Sequence, residues 1–121
     1  TMRYLFVLLL FMSLNSYAEY KDWSDTDQKL FIASQAAIST DWLTTRYGAR
    51  HRNDTQETNP FLGPHPGVGK VNLYFTGLLI SNYFITDYVD PNYRGFYLVV
   101  RTTTHGVATI NNIHLGWKMS F

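Results

Sequence analysis

The residues that could do chemistry together are Asp41, Arg46, Glu57 and Arg101. They are two carboxylates and two guanidinium groups in a chain with few charges. Set where helices meet a loop, they would form a charge network. Such networks hold a fold together more often than they catalyse. In the sharper reading Asp41 or Glu57 is a general base or metal ligand, and Arg46 and His65 steer an anionic head group. His65 at a helix start, with Lys70 one turn later, is an anion-binding pattern, although an ordinary capped helix has the same one. His51, Asp54 and Glu57, spaced by three, would converge on a metal only if their loop were helical. Nothing in the loop's composition holds it so, and no metal or other cofactor is expected. His105 and His114 are nine apart and receive no role.

Several chemistries are excluded. With no cysteine there is no disulfide, thiolate nucleophile or thiolate metal site. No serine sits in a Gly-x-Ser-x-Gly elbow, and neither a phosphate loop nor a dinucleotide fingerprint occurs. A formal net charge of +1 with scattered Lys and Arg argues against a nucleic-acid partner.

The element that must position these groups is "ETNPFLGPHPG", residues 57–67, with three of the four prolines. Asn59 and His65 each precede a proline and are pushed towards extended backbone. Gly63 and Gly67 permit turns with positive φ. The stretch therefore reads as a preshaped loop over 52–67 that fixes Glu57, Asn59 and His65 in place. About 17 residues separate the flanking helices, a length that is usually functional or disordered.

Three helices are expected around that loop. The first starts with a capping-box pattern, Ser24 with Asp27 or Asp25 with Gln28, and Gly48 reads as its stop. One of its stripes runs Leu30, Ala33, Ala37, Asp41, Thr44, Gly48, small residues suited to close contact, and Asp41 is the anomaly on it. The second is expected over 66–89, with His65 as N-cap and Pro66 at the first helical position. From Val71 to Ile85 its only strongly polar residues are Asn72 and Asn82, which makes it the strongest membrane-span candidate after the N-terminus. The third runs from about Pro91 to Ile113, interrupted by Arg101, three threonines, His105 and Gly106. The closing "HLGWKMSF" reads as a terminal extension.

Residues 2–18 look like an address. Arg3 precedes an apolar run from Tyr4 to Met12, and Ser16-Tyr17-Ala18 is a small-x-small cleavage pattern. The alternative is an uncleaved hydrophobic helix that packs on the rest. Residues 19–121 are then a single domain. Charged residues are 16% of the chain and aromatics 17%, against roughly 25% charged in soluble domains. The expected class is all-α: a bundle of about three helices behind an N-terminal signal, membrane-associated, with a soluble periplasmic bundle as alternative. The mean hydropathy of −0.16 is low for several full spans.

"DWLTTR", "ETNPFLGPHPGVGKVNLYF", "YRG" and Asn111 or Asn112 together resemble a family of small exported or membrane proteins of proteobacteria and their phages. The resemblance covers most of residues 20–121. It implies an all-helical, membrane-linked chain and brings no activity. The expected function is a non-enzymatic envelope module that self-associates or packs with membrane lipid or a membrane protein, in the inner membrane or periplasm. The alternative is a small membrane-surface enzyme or anion-binding protein. It would use Asp41 or Glu57, with Arg46, Asn59, His65, Lys70 and Arg101 as binding groups.

Overall fold

A computed structural model describes residues 20–51, 62–63 and 66–121. It is all-helical. A 3-10 turn, Tyr20–Asp22, leads into α1 (Asp25–His51); α2 (Val68–Tyr88) and α3 (Pro91–His114) follow. Among the described residues there is no strand.

Local chemistry explains most of the boundaries. The Ser24 hydroxyl accepts the Asp27 N–H at 3.1 Å, which is the backbone half of the expected capping box. Gln28 turns back to the Tyr20 and Trp23 carbonyls and ties down the 3-10 turn. Asp90 caps α3 by accepting the Asn92 N–H at 2.8 Å, with Pro91 in the first turn.

Two expected boundaries need correction. Gly48 does not stop α1, which runs on to His51. The N-cap of α2 is Gly67, in extended backbone at φ −74°, and Pro66 lies before it. Of the two loop glycines expected to take positive φ, only Gly63 does, at 80°. His65, Glu57, Asn59 and Asp54, most of the 52–67 loop, and the N-terminal segment 2–18 lie outside the described residues.

α1 is the central element. It runs antiparallel to α2, pairing Gln35 with the Leu79 carbonyl and Trp42 with Asn72. It runs parallel to α3, with Thr40 on Thr109 and Asp41 on His105. α2 and α3 bond near their joining turn, where Arg94 reaches the Thr86 carbonyl and Tyr97 reaches Asn82. The apolar core is small: Ile38, Leu62, Val71 and Phe75, with Trp42, Leu78 and Leu79 against it.

Trp23, Leu98 and Trp117 are buried apart from that core, and the rest of the interior is polar. Asp27, Ser34, Asp41, Thr44, Thr45, Asn82, Thr86, Asp87, Arg94, His105 and Asn112 are all buried. The outside of α3 carries Phe96, Val99, Val100, Val107, Ile110 and Ile113, each between 47% and 74% exposed. This helix has its amphipathicity reversed.

Candidate functional site: a buried Asp41–His105 centre

Asp41 sits midway along α1, on the face that meets α3. Asp41 is 6% exposed and its partner His105 is 5% exposed. His105 Nδ1 lies 2.7 Å from Asp41 Oδ2. A carboxylate there accepts, so Nδ1 carries the proton between them. The other oxygen, Oδ1, accepts from the Thr45 hydroxyl at 3.1 Å and from Asn112 Nδ2 at 3.3 Å. Asn112 Nδ2 also lies 2.9 Å from the Thr44 hydroxyl and 3.2 Å from that of Thr45. The Thr44 hydroxyl in turn donates to the Thr40 and Asp41 carbonyls. Asp41 thus has a donor on each oxygen, which a buried carboxylate requires.

The spacing explains the assembly. Asp41, Thr44 and Thr45 fall on one face of α1, and His105 and Asn112, seven residues apart, fall on one face of α3. Two parallel helices in register bring the two sets together. The ring of Phe75 on α2 meets His105 edge-on, with centroids 6.4 Å apart. His105 Nε2 is buried without a hydrogen-bond partner.

A carboxylate that orients an imidazole and leaves Nε2 free is two-thirds of a nucleophile–base–orienter set. A base must reach the proton it removes, directly or through one water. Here Nε2 is shut off from water on all sides. What the arrangement does is lock α1 to α3.

Sequence reasoning singled out Asp41 and missed its partner His105. Arg46 bonds the Asn72 side chain of α2 at 3.0 Å, where Trp42 Nε1 also donates at 2.9 Å. Arg101 is half-buried over the Tyr97 ring, 5.8 Å from its centroid, with Nε donating to the Tyr97 hydroxyl. Neither shows a bond to Asp41 among the described residues, and Glu57, the fourth member of the expected Asp41–Arg46–Glu57–Arg101 network, lies outside them. His105, given no role, is the true partner. Lys70 is exposed in the first turn of α2. His51 stacks on Tyr47 and contacts its carbonyl. Glu57, Asn59 and His65 fall outside the described residues. Leu98, His105 and Asn112 recur every seven residues on one buried face of α3, and that spacing was the sequence signal for the missed face.

Two further polar centres flank this one. On α2, Asn82 donates to Ser34 and Gln35 and accepts from the Tyr97 hydroxyl. At the end nearest the α2–α3 turn, Trp23 Nε1 donates to Asp87 at 3.0 Å. Arg94 lies 5.3 Å from the centroid of that indole. Its guanidinium donates to the Thr86, Asp87 and Val89 carbonyls. At the opposite end Trp117 closes over Gly48.

No protein-family model, curated protein or solved structure matches this chain. Among the described residues no helix, taken by itself, is long and apolar enough to cross a membrane, α2 included.

Proposed function

We propose that this chain is a non-enzymatic helical module of the cell envelope whose outward apolar faces pack against lipid or a membrane protein. The observation that carries the reading is the reversal of α3. Its inward stripe is Arg94, Leu98, His105 and Asn112, all buried; its outward stripe is Phe96, Val99, Val100, Val107, Ile110 and Ile113. In water a helix turns its apolar side to the core. Here the side chains left outside present an apolar surface on the order of several hundred Å², at or above the largest patch of a typical monomer. Covering each of them would contribute on the order of 1–2 kcal/mol. Bonded polar groups facing one another inside such a surface are the arrangement that a lipid surrounding demands. The buried Asp41–His105 centre supports a structural role over an enzymatic one, because its free nitrogen is closed to substrate and water.

The test is fractionation. Membranes from cells expressing the chain should retain it through an alkaline carbonate wash and release it in mild detergent. Quantitative release by carbonate would refute the reading.

A further inference from the structure

The charges are sorted along the bundle axis. One end holds the start of α1, the end of α2 and the start of α3. It carries Asp22, Asp25, Asp27, Asp87 and Asp90, with Lys21, Lys29 and Arg94. The other end holds Arg46, Arg50, Lys70 and Lys118 and, among the described residues, no Asp or Glu side chain. Between them lies a belt without exposed charge. On α1 it extends from Lys29 to Arg46, where the one ionisable residue, Asp41, is buried. On α2 it extends from Lys70 to Asp87. Both intervals are 17 residues, which at 1.5 Å per residue is about 26 Å. On α3 only half-buried Arg101 interrupts it. A bilayer's hydrocarbon core is about 30 Å thick, and a few Å less in thinner membranes.

Resting on the membrane reading above, we infer that the three helices traverse lipid as one unit, with acyl chains covering the belt. The basic end lies at the cytoplasmic face and the acidic end at the opposite face. Taken singly the helices fall short in hydropathy in part because the buried groups Asp41, Thr44, Thr45, Asn82, Arg94, His105 and Asn112 lower their averages; exposed Thr103, Thr104 and Asn111 lower that of α3 as well. Each of the buried groups faces a partner inside the bundle, where it costs lipid nothing. Lys and Arg collect on the cytoplasmic side of membrane proteins; with four of them at the basic end and three at the acidic end, that count alone does not orient the bundle. The direction comes from the export pattern ending at Ala18, which delivers the start of α1, the acidic end, to the far side.

The absence of cysteine makes this testable with single-cysteine variants of the full chain. Asp25→Cys marks the acidic end, Lys118→Cys the basic end and Val107→Cys the belt; all three sites are exposed. Each is treated with a membrane-impermeant maleimide in right-side-out and inside-out vesicles. Asp25→Cys should react about tenfold or more faster in right-side-out vesicles and Lys118→Cys in inside-out ones, because the reagent cannot pass the hydrocarbon layer. Val107→Cys should react in neither until detergent is added. If both ends react from one side while Val107→Cys stays protected, the traversing arrangement is overturned and the membrane reading survives. If Val107→Cys reacts freely in intact vesicles, both fall. If it stays protected in detergent and the protein has the mass of a dimer, a second copy covers the face and lipid is the wrong occupant.

Discussion

Replacing Asp41 by alanine separates a clasp from a catalytic group. The substitution strips His105 Nδ1 of its acceptor, takes one acceptor from the Thr45 hydroxyl and leaves Asn112 with Thr44 and Thr45 alone. Removing one partner of a buried pair of this kind costs about 3–5 kcal/mol. An unmade buried hydrogen bond costs about 1–3 kcal/mol by itself, so the pair with His105 accounts for most of the loss. Against a total stability of about 5–15 kcal/mol this is a large fraction. At about 4–8 °C per kcal/mol for a domain of this size, Tm should fall by on the order of 15 °C or more. The assay is the thermal loss of helical circular dichroism in one mild detergent. His105→Ala and the double variant complete a mutant cycle. A coupling energy of about 1–3 kcal/mol between the two sites is expected, because they share one bond. Asp41→Asn should cost less: an amide can still accept from Thr45, while His105 turns an acceptor nitrogen towards the new NH2 group. If Asp41→Ala and His105→Ala each melt within about 1 kcal/mol of the parent, the clasp is refuted, since surface-like values mean the pair bears little of the fold.

Two other contacts give independent checks. A Cβ built on Gly48 would lie 2.6 Å from two indole carbons of Trp117, a rigid ring that cannot fold aside. Gly48→Ala should therefore push Trp117 and the tail away, at about 1–3 kcal/mol, and red-shift tryptophan emission; an unshifted spectrum with parental stability would refute the close contact. Arg94→Lys replaces a planar fork that spans three carbonyls and stacks on Trp23 with a point charge. It should cost about 1–3 kcal/mol, read by the same melt, and a neutral result would mean the fork is dispensable.

The turn between α2 and α3 was legible because local chemistry writes it: Asp90 before Pro91 ends one helix and caps the next. The end of α1 was misread for the opposite reason. Gly48 is small to admit Trp117 from 69 positions away, and a tertiary close approach looks, in one sequence, like a helix breaker. Asp41 stood out as a carboxylate among small residues, but choosing His105 over Arg46 or Arg101 depends on the parallel register of α3 against α1. No local signal sets that register; it follows from several long-range pairs at once, Thr40 with Thr109, Thr44 with Asn112 and Arg50 with Ser120. The same register resolves the conflict in the hydropathy. Averaged along the chain, α3 looks too polar for lipid, since Arg94, Arg101, His105 and Asn112 dilute its valines and isoleucines. Resolved by face, three of those four polar residues are buried, the fourth is half-buried against Tyr97, and the valines and isoleucines are outside. What a surrounding medium meets is the face and not the average, so the polar interior and the apolar outer face of α3 are one design: each bonded pair inside keeps a polar group off the stretch between the two charged ends.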